Sequence, residues 1–223
     1  VRRTMQIAVC CAAVFSLGVG GVARAQTEVT TATGSHRWTV QSAETVGPGV
    51  NVGALQAGFP GLDLMLIHGL DDTTDVNAHV GLNYAFEGLT TAARFEFTAQ
   101  VGIRKELLAI GNNMKLSGRF DPGILIATSP GVFGIKIPVG LEFGIPLSSQ
   151  LIVNATLDLP MFFTLGDVSA FYIPLLFGGG AEYLIQPNLA VIGKIKVGPT
   201  WGTGDASGSH FTLYALVGAA YKF

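Results

Sequence analysis

The chain has 223 residues, with 13 Lys and Arg against 15 Asp and Glu and a formal net charge of −2, which offers no basic face for nucleic acid. Hydrophobic residues make up 49% and charged residues only 13%, a ratio unusual for a water-soluble domain. Beyond residue 25, however, no uninterrupted apolar run reaches the roughly 18 residues that a membrane helix needs, so spanning helices are excluded.

In chain order, the first element is an export signal. Arg2 and Arg3 precede an apolar stretch from Ile7 to Val22, and Ala23-Arg24-Ala25 is an A-x-A cleavage site before Gln26. Residues 1–25 are therefore expected to be removed. Cys10 and Cys11 go with them, which excludes a disulfide framework or a thiolate site. Loss of Arg2, Arg3 and Arg24 takes the 13 basic residues to 10 against 15 acidic ones, a net of −5. Gln26–Val46 reads as a periplasmic lead-in, with Arg37–Ser42 open to a strand assignment. Residues 47–223 read as one domain.

That domain is a series of segments with period-two alternation, the pattern of a strand with two unlike faces. Gly49–Ala57, Leu62–Gly69 and Ala78–Phe86 come first, the last with Val80, Leu82, Tyr84 and Phe86 on one face and His79 and Asn83 on the other. Ala93–Ile103 sets Phe95, Phe97 and Val101 against Arg94, Glu96 and Gln100. Met114–Ala127 contains Asp121-Pro122-Gly123, a turn signal, but the face pattern runs through it and predicts a kinked strand. Phe133–Ile145, Leu151–Phe163, Phe171–Ile185 and Leu189–Trp201 follow with the same alternation. The last strand, Phe211–Phe223, puts Phe211, Leu213, Ala215, Val217, Ala219, Tyr221 and Phe223 on one face. The count is ten strands, with eight as the alternative. A strand of thirteen residues tilted by about 45° spans about 30 Å, the thickness of a bilayer core.

The terminal strand, with Phe223 last and Tyr221 two residues before it, resembles the C-terminal strand of bacterial outer-membrane β-barrels. The resemblance extends over the mature chain as pattern, with specific motifs only in that strand. It implies an all-β, antiparallel up-and-down transmembrane barrel in the outer membrane, with lipid as its surroundings and Tyr221 and Phe223 as the signal read by the barrel-assembly machinery. It carries no oligomeric state. With the C-terminus periplasmic, Phe86, Phe95, Phe133, Phe163, Phe171, Trp201 and Phe211 form an outer aromatic girdle, and Phe143, Tyr183, Tyr221 and Phe223 an inner one. External loops are expected to be short and to carry Glu87, Asp167 and Asp205.

The inward face then carries Arg94, Glu96, Arg104, Lys115, Arg119, Asp121, Lys136, Glu142, Asp158, Glu182, Lys194, Lys196 and Lys222, eight basic and five acidic residues. Hairpin register suggests Lys136 between Asp121 and Asp158, and Lys194 near Glu182. These charges either pair as a filling or line a narrow pore whose basic excess favours small anions. A second feature lies in the wall. Pro122, Pro138, Pro160, Pro174 and Pro199 fall at similar height in five successive strands, where proline cannot donate to the ladder. They mark either the end of the regular ladder or a lateral gap. In this one respect the wall resembles the lipid A palmitoyltransferase barrel, where proline-flanked gaps admit lipid.

The reading that follows is a narrow passive pore, with a structural or lipid-contacting envelope barrel as the alternative. An enzyme is not expected: Asp205, Ser209 and His210 could form a Ser-His-Asp grouping, but the stretch reads better as a polar loop. No metal or cofactor motif is present.

Overall fold

The computed structural model describes residues 38–90, 93–110, 114–128 and 131–223; the expected signal segment lies outside them. The chain divides into two units, 1–35 and 36–223, and all described residues belong to the second.

That unit is all-β. Its strands are β1 (Asn51–Phe59), β2 (Gly61–Asp71), β3 (Thr74–Ala85), β4 (Ala93–Ile110), β5 (Met114–Phe120), β6 (Gly123–Ala127), β7 (Val132–Pro146), β8 (Leu151–Gly166), β9 (Ala170–Pro174), β10 (Leu176–Gln186), β11 (Leu189–Gly202) and β12 (Gly208–Lys222). They form one antiparallel sheet of twelve strands. Chain neighbours pair except β5 with β6 and β9 with β10, and β12 also pairs with β1, with Lys222 opposite Val52 and Ala215 opposite Phe59. Among the described residues no helix is long and apolar enough to cross a membrane.

Twelve strands stand where ten were counted because two runs are interrupted. β5 and β6 both lie between β4 and β7, and Asp121-Pro122 separates them. β9 and β10 both lie between β8 and β11, separated at Leu175. The register is the same on both sides of each interruption: Phe120 faces Val139 before the first and Gly123 faces Lys136 after it. The strands are not displaced; only local pairing is lost.

The two faces are inverted relative to a soluble protein. Leu55, Leu66, Phe95, Val101 and Val217 are more than half exposed, while Asp75, Glu96 and Asp158 are almost fully buried. Contiguous apolar surface of this extent marks a surface that meets something apolar. Most of the expected girdle residues lie on the exposed face, including Phe95, Phe133, Phe171, Trp201, Phe211, Tyr183, Tyr221 and Phe223. Phe86 does not. It is buried with Leu125, Phe162 and Tyr172 in an apolar cluster on the opposite face. Alternation fails there because β3 ends at Ala85 and a 3₁₀ turn, Phe86–Gly88, folds the chain inward.

Candidate functional site

The buried face is divided along the strands into three zones. At the end near Asn51 and Lys222 lies a segment that the periodicity did not reveal. Residues 38–46 form no strand, and every one of them is buried. Trp38, Val40 and Val46 pack on Val52, Ala54, Met65, Ile67, Ala190, Ile192 and Ala220. The stretch read as a lead-in is thus, over these residues, packed against the buried face of the sheet.

Side chains from four strands hold its peptide groups. Arg104 on β4 uses all five of its N–H donors. Nε and Nη2 donate to Asp75 Oδ2, Nη1 to the carbonyls of Val40 (3.1 Å) and Ser42 (2.8 Å), and Nη2 to that of Thr39 (2.9 Å). Glu182 on β10 accepts from the backbone N–H groups of Val40 (2.9 Å) and Gln41 (2.6 Å). Asn154 on β8 donates to the Gln41 carbonyl, and Asp75 on β3 accepts from Val46 N–H. Trp38 Nε1 donates to the Pro187 carbonyl at 3.0 Å and lies beneath Lys222, whose Nζ is 5.9 Å from the ring. The Gln41 side-chain amide, also buried, has no hydrogen-bond partner at either atom.

In the middle zone the charges pair across strands. Arg119 on β5 reaches Asp158 (2.6 Å), Asp121 (3.2 Å) and Glu142 (3.4 Å), and Lys196 on β11 reaches Asp158 at 2.7 Å. Two expected proximities are corrected. Lys136 pairs with Glu87, not with Asp121 and Asp158, and Lys194 pairs with Asp63 at 3.3 Å, not with Glu182. Hairpin register describes neighbours along the wall, whereas these long side chains cross the interior. Lys115 pairs with Glu106 within its own hairpin, and Arg94 stacks over Phe86.

Among the buried or partly buried carboxylates that escaped the sequence are Asp63, Asp75 and Glu87. Asp63 lies on a strand of weak alternation, and Asp75 precedes the run Ala78–Phe86 read as strand, whereas β3 begins at Thr74. Glu87 was placed in an external loop but is 3% exposed, because its backbone adopts φ +46°, ψ +36° and turns the side chain inward. A non-glycine residue there costs roughly 1–2 kcal/mol, offset here by Lys136, by Tyr214 O–H donating at 3.3 Å, and by its own N–H donating to Glu96 at 3.1 Å. Asn83 donates to the other Glu96 oxygen at 2.7 Å. These acids cancel the basic excess on which the anion-pore expectation rested.

A cavity of about 120 Å³ opens beside these pairs, room for roughly four waters. Its charged lining includes Lys136, Asp158, Lys194 and Lys196, and its apolar lining includes Pro138, Pro160 and Leu176.

The prolines form the third feature. Pro138 stands directly opposite Pro160. Phe162 faces Tyr172 and Leu176 faces Asp158, so Pro160 faces Pro174 between them. In an antiparallel ladder, N–H and C=O of one residue point to the same neighbour. Pro122, Pro138 and Pro199 each still accept one bond, from Val101 (3.0 Å), Asp121 (3.1 Å) and Leu175 (2.9 Å). At Pro160 and Pro174 the two missing donors confront each other, so neither bond of that pair can form. No pairing joins β8 to β9 or β10 over residues 159–161 and 173–175, a gap of about 13 Å between bonded pairs.

The Asp205, Ser209, His210 grouping is not assembled. Asp205 accepts from the Ser169 N–H at 2.9 Å, and His210 Nε2 is buried without a hydrogen-bond partner.

No known protein family matches the sequence, and no curated protein matches it. Among solved structures, the fold is similar to the outer membrane protease OmpT from Escherichia coli, with 9% identity and a TM-score of 0.49 over 85% of this chain and 100% of that one. It is also similar to a de novo designed transmembrane β-barrel, with 15% identity and a TM-score of 0.32 over 79% and 97%. A third is OmpT, an outer membrane protein of Vibrio cholerae, with 14% identity and a TM-score of 0.37 over 81% and 62%. Such distant likenesses transfer no activity. The expectation of no enzyme is nevertheless corrected: a structure of similar fold is a protease, so the fold itself excludes no enzyme.

Proposed function

We propose that the chain is an outer-membrane β-barrel whose bore is stoppered at rest and whose wall offers a lateral contact for lipid. The pairing of β12 with β1 and the exposed apolar face support closure within a bilayer. Export through the N-terminal signal, and assembly through a C-terminal strand ending in Tyr221 and Phe223, belong to the same reading.

The observation that carries the lateral contact is the unpaired stretch between β8 and β9–β10, backed by the cavity at Pro160 and Leu176. The occupant that fits is an amphiphile. Its chain lies along Leu159, Met161, Ile173 and Leu175 at the gap, and its polar end meets Lys196 and Asp158 in the cavity. A membrane interior supplies no water to the unpaired backbone there, which favours an occupant that reaches both zones. The test is binding of a fluorescent polyene fatty acid by protein in detergent micelles. The Pro160→Val, Pro174→Val double variant restores both donors and is expected to bind at least tenfold more weakly. Equal binding by the two proteins would remove the lateral reading.

A further inference from the structure

We propose that residues 38–46 are a withdrawable plug, and that the barrel becomes a conduit for small hydrophilic solutes when the plug leaves. This goes beyond the lateral reading, which concerns the wall and holds with the plug in place.

Three observations carry it. The first is how the segment is held. It has no strand of its own, and its backbone is gripped by the ends of Arg104, Glu182, Asn154 and Asp75. Such contacts can be exchanged one at a time for water, unlike a ladder that must be unzipped. The second is what lies under it. Asp75, Arg104, Glu142, Asn154, Thr156 and Glu182 line the face it covers beside an apolar patch of Val52, Met65, Ile67 and Ile192, and all are buried in its presence. A permanent filling gains nothing from charges there, since well-packed apolar residues serve as well or better. A surface that must at times meet water requires them. The unpartnered Gln41 amide fits the same view, because a permanent core leaves few such groups unpaired.

The third is a hinge. Gly47-Pro48-Gly49 joins the segment to β1, with Gly47 at φ +96° and Gly49 at φ +73°. Those conformations suit glycine; Gly49 is already tied to β2, its N–H donating to the Gly69 carbonyl at 2.8 Å, so a swing about Gly47 and Pro48 leaves Asn51 and its pairing undisturbed. Beneath the plug a space of about 30 Å³ already touches Gln41, Arg104 and Lys196.

The test uses the full chain in planar bilayers. Arg104→Gln removes the central grip and is expected to raise the open probability at least tenfold over the unsubstituted protein. The decisive variant adds Ser42→Cys and Gly144→Cys to Arg104→Gln. A side chain at Gly144 would lie against Ser42 Oγ, so the pair can be joined by a disulfide. The oxidised triple variant should be silent and the reduced form should conduct, with heat-dependent gel mobility showing that both are folded. Conductance that is the same before and after reduction, whether present or absent, overturns the proposal. The lateral reading is scored separately, by fatty-acid binding to the oxidised form, which should be unchanged.

Discussion

Near Asn51 and Lys222, buried charges are met by the peptide groups of a second length of chain; near Pro160 and Pro174, they are met by one another and by a cavity. In the first region the ladder is broken only by one-residue irregularities at Gly69/Asp71, Glu106/Leu108 and Leu184/Gln186, and the interior is filled. In the second the interior is hollow and the ladder has lost both bonds at one pair. The comparison teaches where each region can give way. The filled end yields most readily by moving its filling, because its described wall has no unpaired stretch like that between β8 and β9–β10. The hollow zone can yield sideways, because its wall has that stretch.

Breaking the grip at the filled end should have the largest effect. Arg104→Ala leaves Asp75 without its cation and three carbonyls without donors. Removing one partner of a buried pair costs about 3–5 kcal/mol, so the urea midpoint of the folded protein in lipid should fall accordingly. Glu182→Ala strips the acceptor from two buried N–H groups and should cost about 2–4 kcal/mol by the same titration. At the hollow zone the sign reverses. Pro160→Val with Pro174→Val supplies two donors facing two free carbonyls, and should stabilise by about 1–3 kcal/mol. Amide exchange near Met161 and Ile173 should slow in parallel, and faster exchange would show that the prolines pack better than they pair. The smallest change sharpens the first region: Trp38→Phe keeps the packing but loses the bond to Pro187, a cost of about 1 kcal/mol.

Much of the wall was legible in the chain. Long period-two runs located the strands, and turn positions set the hairpin register closely enough to align five prolines. The kink at Asp121-Pro122 was visible because the face pattern continued beyond it. What crosses the interior was not legible. Residues 38–46 have no period, and their hydrogen-bond partners lie as far as 149 positions away, as for Trp38 and Pro187. Lys136 and Lys194 were assigned to neighbours along the wall, while their carboxylates sit across it. Glu87 stands in a loop by every local signal, and only its left-handed backbone turns it inward. The apolar cluster of Phe86, Phe162 and Tyr172 is hidden for a related reason: one of its rings belongs by alternation to the other face.

The unchanged register across the gap at Pro160 has a kinetic consequence. A strand that slips by one residue exchanges its two faces, and recovery then requires a search among wrong alignments. Here Tyr172 and Leu176 hold the alignment from either side, like teeth on both sides of an open stretch of zipper. Separation between them can recur without loss of address. On the proposed lateral reading, each closure returns every side chain to the face it left, and parting of the wall is a reversible local event.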